Sequence, residues 1–177
     1  MRKLILVFQF FTRIPIPSNS KASANNFGAA MKLLPVVGAA IGGMMWLTYR
    51  VLSPFDTLVA SVAAVLLELV LTGGIHQDGL GDTFDGLFSN TNGQRMLDIM
   101  KDSRLGTHGV LAIVGVLLVK ISVINALAEP CVLVAMPVFS RLAMVFGTAL
   151  SGKSRGGGLG HLFISQVGPI DAVLSGL

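Results

Sequence analysis

The apolar runs of this 177-residue chain constrain its fold more than any other feature of the sequence. About 20 consecutive apolar residues cross a bilayer, and they must form a helix because lipid satisfies no backbone hydrogen bonds. Only 12% of the residues are charged, about half the share in soluble domains. The sequence therefore predicts an all-α, polytopic helical membrane protein, a single integral-membrane domain over 1–177. We expect about four transmembrane helices, at 33–49, 58–75, 110–127 and 132–150.

The N-terminal segment is apolar but short. Residues 5–11 form an apolar run that is broken by Gln9, and the run is too short to span a bilayer. Pro15 and Pro17 follow it, where a signal peptide would carry a cleavage site of small residues. We therefore expect an uncleaved segment that lies at the membrane interface or re-enters the membrane.

The distribution of Lys and Arg predicts the orientation in the membrane. With the N-terminus in the cytoplasm, ten of the 13 basic residues fall on the cytoplasmic side. Only Arg50 falls on the opposite side, and Lys120 and Arg141 lie within spans. Because cytoplasmic loops carry an excess of Lys and Arg, we expect the long loop at 76–109 to be cytoplasmic.

Composition excludes two classes of protein. The net charge of +4 comes from scattered residues without an aromatic-interleaved basic patch, which argues against nucleic acid as a partner. A single cysteine, Cys131, rules out an internal disulfide framework and a multi-cysteine zinc site. Its apolar surroundings predict a buried side chain.

Small residues in the first span predict close helix packing. Gly38, Gly42 and Gly43 present little side-chain volume, and small residues let the backbones of membrane helices approach each other. The sequence does not indicate which helix is the partner.

The loop at 76–109 is acidic and holds five of the nine carboxylates of the chain. Asp78, Asp82 and Asp85 stand at i, i+4 and i+7, so on a helix they fall within an arc of roughly 60°. Three like charges on one face destabilise a helix. Mg²⁺ would remove that cost, since it takes carboxylate oxygens and bridges to substrate phosphates. A solvated acidic face is the alternative, but the interleaved residues are apolar or glycine, so the sequence predicts a metal site.

A mixed group of acidic and basic residues follows the acidic motif. Arg95, Asp98 and Asp102 stand at i, i+3 and i+7 and predict a second helical face, with an ordinary Arg95–Asp98 surface pair as the alternative. Lys101, Asp102 and Arg104 suit a phosphorylated substrate, because a metal neutralises some phosphate oxygens and Lys or Arg the others.

Other polar residues give less specific predictions. His76 is either a base or phosphate contact, or an interfacial polar residue. Arg141, inside the fourth span, either contacts an anionic ligand or pairs with Glu68, and Lys120 is expected to snorkel toward an interface. Arg155 begins a basic, glycine-rich segment that either binds phosphate through backbone N–H groups or is a flexible linker.

Several separated motifs follow one another along the chain. The longest are GGIHQDGLGDTFDG at 73–86 and IMKDSRLGTHG at 99–109, and shorter ones lie at 11–15, 35–38 and 155–160 with Phe163. Together these motifs resemble the cobalamin synthase family, also called adenosylcobinamide-GDP ribazoletransferases. Gln77 and Gly81 stand where an apolar residue and an alanine are expected. Family members run on through further spans and a glycine-rich motif, so we expect this chain to lack the C-terminal part.

The resemblance implies a magnesium-dependent enzyme of the bacterial inner membrane. Such an enzyme transfers the adenosylcobinamide phosphate group from adenosylcobinamide-GDP to α-ribazole, or its 5′-phosphate, and releases GMP. A homo-oligomer is compatible with the sequence. In this interpretation Mg²⁺ is held by Asp78, Asp82, Asp85 and Asp102, the catalytic residues are Asp82, Asp85 and His76, and the substrate is bound by Arg95, Lys101, Arg104, Arg141 and Arg155.

Two alternatives remain open. The acidic motif loosely resembles that of the CDP-alcohol phosphotransferases, which would make the chain another membrane phosphotransferase. An ion-coupled transporter would use the carboxylates as an ion site. Transporter sites usually lie near the midplane of the membrane within paired repeats, whereas the acidic residues here cluster in one loop and the sequence shows no repeat.

Overall fold

The structure is a computed structural model that describes residues 2–17, 30–127 and 129–151. None of these residues forms a strand, which confirms the expected all-helical fold. The helices with defined bounds are α1 (Arg2–Phe11), α2 (Leu34–Leu52), α3 (Thr57–Thr72), α4 (Ile75–Leu87), α5 (Gln94–Ile99), α6 (Thr107–Leu127) and α7 (Pro130–Leu150).

Three helices are long and apolar enough to cross a membrane: α2, α6 and the Cys131–Leu150 part of α7. They correspond to the first, third and fourth predicted spans. Helices α3 and α4 pass the same test only together, as a pair bent by 88°. The chain is therefore a multi-pass helical membrane protein, as predicted.

The second predicted span, at 58–75, is shorter than expected because α3 ends at Thr72. Gly73 and Gly74 follow with φ of 64° and 71°, a left-handed conformation that ends a helix and that glycine adopts without strain. Gly74 N donates to Leu69 O at 3.1 Å and closes the helix end. With 16 residues, α3 is about 24 Å long, somewhat less than the thickness of the hydrocarbon layer.

Helix α2 occupies the centre of the bundle and packs mainly against α7 and α3. A Cβ on Gly38 would lie 2.6 Å from Pro137 O, and a Cβ on Gly42 would lie 2.7 Å from Val134 Cα. The predicted close helix contact is therefore confirmed at these two glycines, and its partner is α7. Gly43 has no neighbour within 4 Å of such a Cβ.

Much of the apolar surface of the bundle faces outward. Leu118 and Val119 of α6, and Phe139 of α7, are each about 60% exposed or more, which suits helices surrounded by lipid. Cys131 is also exposed, so the prediction that it is buried is wrong. It lies in the first turn of α7.

Candidate functional site

Helix α4 carries the acidic motif and is not one of the three helices that are long and apolar enough to span on their own. Since α3 packs beside α2 and α6, the 88° bend directs α4 away from the axis of α3. Gly81 of α4 faces the start of α6, and a Cβ there would lie 3.0 Å from Leu105 Cδ1 and 3.1 Å from Ile113 Cδ1. The close approach at Gly81 fixes α4 against α6.

Two carboxylates of the motif are free on α4. The helix covers the whole motif, so Asp78, Asp82 and Asp85 share one face as their spacing predicts. Asp78 is exposed and Asp82 partly exposed, and neither carboxylate has a bonding partner in the part of the chain that the structure describes. Burial, followed by the charges of Asp78 and Asp85, raises the pKa of Asp82. A bound cation would relieve that repulsion.

Asp85 holds the start of α6. Its Oδ2 accepts a hydrogen bond from Gly106 N at 2.7 Å, and its Oδ1 accepts one from Gly109 N at 2.8 Å. A Cβ on either glycine would overlap the carboxylate, and the negative charge lies at the positive end of α6. A metal-binding or catalytic role for Asp85 stays a prediction, and it requires at least one of these bonds to be shared or broken.

A cavity of about 600 Å³ lies beside the acidic motif. Its wall includes the end of α1 and the residues after it, the break between α3 and α4, and the start of α6. Asp78 is the member of the acidic motif that lines it. Ligand pockets usually measure about 300–1,000 Å³, so the cavity is large enough for a small-molecule site.

His76 is partly buried, and its surroundings favour the uncharged imidazole. Its ring stacks on Phe11 of α1, with the centroids 6.2 Å apart and the planes at 17°. Burial, followed by the charge of Arg141, lowers the pKa of His76 from 6.5 to about 4. Its Nε2 is buried and has no hydrogen-bond partner among the described residues. A histidine with so low a pKa is a poor base at neutral pH, so the arrangement supports a packing role more than the predicted catalytic one.

Three charged side chains meet between α3, α6 and α7. Glu68 Oε1 lies 3.4 Å from Arg141 Nη1, and Glu68 Oε2 contacts Lys120 Nζ. The predicted Glu68–Arg141 pair is confirmed. The expectation that Lys120 snorkels to an interface is wrong, because Glu68 provides a partner within the helices. Nε and Nη2 of Arg141 are buried without a partner in the described ranges, and substrate contact by Arg141 stays a prediction.

The second helical face predicted downstream does not form. Helix α5 ends at Ile99, so Asp102 lies outside it and cannot share a helical face with Arg95 and Asp98. The alternative, an Arg95–Asp98 pair, is also wrong, because no salt bridge joins the two residues in the described part of the chain. Asp98 Oδ1 instead accepts from Gln94 Nε2 at 2.9 Å. A six-residue helix makes fewer than two turns, too few to align the three side chains.

Asp102 is bound by a neighbouring arginine. Arg104 Nη2 lies 2.6 Å from Asp102 Oδ2. The hydrogen bonds that the side chain and backbone of Arg104 donate to Asp102 lower the pKa of Asp102. Lys101 is exposed. The predicted roles of Asp102 in metal binding and of Arg104 in substrate binding therefore require this exposed pair to open. Arg155 lies outside the described residues.

The donor set for a metal is smaller than the sequence predicts. Within residues 2–17, 30–127 and 129–151, no three His, Cys, Asp or Glu side chains come together in a way that could hold a metal ion. The two free carboxylates, Asp78 and Asp82, nevertheless fit magnesium, which is usually bound by one or two carboxylates, water and substrate phosphates. A magnesium site at these two residues stays a prediction.

One charged residue at this site, Arg13, was not predicted from the sequence. Arg13 lines the cavity that Asp78 borders, although 65 positions separate them in the printed sequence. Residues 11–15 belong to the family resemblance, which assigns no role to Arg13. No local pattern around Arg13 indicates that α1 leads it to the break between α3 and α4.

The fold and the site together define a class: a multi-pass helical membrane protein with an acidic helix and a cavity beside it. The sequence matches the family described as cobalamin-5-phosphate synthase over residues 3–177. The chain belongs to this family, which confirms the resemblance, and it is thus a member of a transferase family of cobalamin biosynthesis.

Several relatives share the name adenosylcobinamide-GDP ribazoletransferase. The protein of Clostridium acetobutylicum is 44% identical over 169 residues, which cover 92% of this chain and 67% of the relative. The protein of Alkaliphilus metalliredigens is 44% identical over 183 residues, covering 100% of this chain and 72% of the relative. The protein of Thermoanaerobacter pseudethanolicus is 42% identical over 173 residues, which cover 95% of this chain and 69% of the relative. No solved structure matches the chain.

Proposed function

We propose that the chain transfers the adenosylcobinamide phosphate group from adenosylcobinamide-GDP to α-ribazole, or its 5′-phosphate, in a magnesium-dependent reaction that releases GMP. The observation that carries this proposal is the placement of two free carboxylates, Asp78 and Asp82, on α4 beside a cavity of about 600 Å³. The names of the relatives supply the donor and the acceptor.

The proposed reaction is a substitution at phosphorus. The ribazole hydroxyl oxygen forms a bond to the phosphorus nearer cobinamide, and the bond from that phosphorus to the bridging oxygen breaks. The electron pair leaves with the bridging oxygen, which becomes part of GMP. Mg²⁺ held by Asp78 and Asp82 would supply the positive charge that such a leaving group requires.

The proton of the attacking hydroxyl needs an acceptor. Asp85 is a weak candidate because both of its oxygens already accept hydrogen bonds from the start of α6. Asp82 has no such bonds among the described residues, so an oxygen of Asp82 that is not bound to metal is the proposed acceptor. The exposed cations Arg95 and Lys101 are available to contact phosphate oxygens.

The proposed orientation rests on the distribution of charge in the sequence, and the proposed inner-membrane location rests on the family resemblance. We place the chain in the bacterial inner membrane with its N-terminus and α4 facing the cytoplasm, where nucleotide-activated substrates occur. The support is the excess of Lys and Arg on that side. A reporter fused to the loop at residues 89–93 would test this orientation.

A turnover assay tests the proposed function. The detergent-solubilised chain is mixed with adenosylcobinamide-GDP, α-ribazole phosphate and Mg²⁺, and GMP and the corrinoid product are followed by chromatography. Asp82→Asn is expected to lower kcat by about 10²- to 10⁴-fold. Asp98→Asn, a matched change of an exposed carboxylate on α5, is expected to leave it unchanged.

Two results would contradict the proposal. Equal turnover by Asp82→Asn and the parent would contradict the assignment of Asp82 to the catalytic site. Turnover of CDP-diacylglycerol without turnover of the corrinoid substrate would favour the CDP-alcohol phosphotransferase alternative.

A further inference from the structure

Arg13 follows α1 and forms part of the cavity wall. Its backbone N–H donates a hydrogen bond to Leu71 O, near the end of α3, at 2.6 Å. The preceding residue, Thr12, donates from Oγ1 to Phe8 O at 2.6 Å and accepts from Ile14 N at 3.3 Å. These bonds join the segment to both α1 and α3, so the fold itself sets the position of Arg13.

The side chain of Arg13 lies against the break between α3 and α4. A Cβ on Gly73 would overlap Nε of Arg13 and would lie 3.0 Å from its Cγ. Gly73 has a φ of 64°, so the position favours glycine for backbone reasons as well. The same glycine that ends α3 therefore makes room for the guanidinium.

The charge of Arg13 is available to a ligand. Among the described residues that line the cavity, Arg13 and Asp78 are the charged ones. Arg13 takes part in none of the salt bridges of residues 2–17, 30–127 and 129–151. By contrast, the guanidinium of Arg104, a substrate-binding residue predicted from the sequence, is already bound to a carboxylate. An arginine without such a partner keeps five N–H donors.

We propose that Arg13 binds the diphosphate of the nucleotide-activated substrate in the cavity that Asp78 borders. The inference rests on the proposed function and adds a substrate-binding residue that lies outside the loop at 76–109. A guanidinium binds phosphate oxygens with two parallel hydrogen bonds. Carboxylates such as Asp78 repel a diphosphate, so a cation supplied by the protein in the same cavity offsets that repulsion.

A binding experiment tests the role of Arg13 without turnover. Isothermal titration of the solubilised full chain with adenosylcobinamide-GDP, and separately with inorganic diphosphate, is carried out in Mg²⁺ without any ribazole acceptor. Arg13→Ala is expected to weaken binding of both about 10- to 100-fold. Arg13→Lys, which keeps the charge, is expected to retain part of the affinity. Arg50→Ala, a matched change of an exposed arginine at the end of α2, is expected to bind like the parent.

The outcomes separate this inference from the proposed function. If Arg13→Ala and Arg13→Lys bind both probes like a parent that turns over the corrinoid substrate, the inference fails and the proposed function stands. If the parent binds no adenosylcobinamide-GDP, both fail. A phosphatidylglycerol headgroup is the other source of phosphate. If Arg13→Ala loses only thermal stabilisation by that lipid, with its diphosphate affinity unchanged, the guanidinium serves lipid and the inference fails.

Discussion

Replacing Glu68 by Gln removes the negative charge from the charge cluster formed by Glu68, Lys120 and Arg141. The side chains are 5%, 17% and 1% exposed respectively, and they join α3, α6 and α7. Glutamine has nearly the same shape as glutamate, so the substitution changes charge without creating a cavity. It leaves two cations without an anionic partner inside the helical bundle.

The burial of each cation sets the size of the effect. Removing one partner of a buried pair costs about 3–5 kcal/mol, because the remaining charge is uncompensated. Lys120 is the more exposed cation and can turn its ammonium toward an interface, whereas Arg141 is enclosed. Only Arg141 is therefore left as an uncompensated buried charge. We expect the free energy of unfolding to fall by about 3 kcal/mol. This corresponds to a roughly 150-fold change in the folding equilibrium constant.

Reversible unfolding in mixed micelles of detergent and dodecyl sulfate, followed by circular dichroism, measures this loss. Glu129→Gln is a matched control, because Glu129 is exposed and its side chain makes no capping hydrogen bond at α7. Glu68→Gln with Arg141→Met removes the stranded guanidinium and is expected to recover most of the loss. The reasoning is refuted if Glu68→Gln lies within about 0.5 kcal/mol of the parent, or if the double variant loses the sum of the single losses.

Two further predictions concern contacts between helices. Asp85→Ala removes both acceptors at the start of α6 and is expected to lower the free energy of unfolding by about 2–4 kcal/mol; the same unfolding assay checks it, with Asp98→Ala as control, and a loss below about 1 kcal/mol contradicts the bonding role. Gly42→Leu drives a side chain into the backbone of α7 and is expected to cost about 1–3 kcal/mol. Gly43→Leu meets open space and is expected to match the parent, so equal losses in the two glycine variants would show that the α2–α7 contact is not the cause.

The spans were largely predictable from the sequence because the length of an apolar run decides whether it can cross a bilayer. The exception is the second span. The sequence shows Gly73 and Gly74 next to each other, but glycine is also common inside membrane helices. Their left-handed φ angles, which turn the chain by 88°, depend on how α4 packs against α6 and cannot be read from the pair alone.

The helical face of the acidic motif was predictable because it depends only on local spacing. Asp78, Asp82 and Asp85 fall on one side of any α-helix. The bonding of Asp85 was not predictable, since its partners lie 21 and 24 positions along the chain. The contribution of Arg13 was hidden for the same reason: it joins the site through the hydrogen bond from its backbone N–H to Leu71 O, 58 positions along the chain, near the end of α3.

Of the charged residues inside the spans, one contact could be anticipated from the sequence and one could not. A carboxylate in lipid requires a partner, so the sequence offers the pairing of Glu68 with Arg141 as one of two alternatives, and the structure contains that pair. Lys120 has a long side chain that can reach either an interface or a neighbouring helix. Only the relative rotation of α3 and α6 decides between these, and the sequence does not give it.

Metal binding at α4 tests the central claim most directly. Mn²⁺ replaces Mg²⁺ as a paramagnetic probe, and electron paramagnetic resonance counts the bound ion in the presence of adenosylcobinamide-GDP without acceptor. The account predicts one or two bound Mn²⁺ ions in the parent and in the control Asp98→Asn, and loss of binding in the double variant Asp78→Asn with Asp82→Asn. Equal binding of Mn²⁺ by the double variant and the parent would contradict the assignment of α4 as the metal-binding helix.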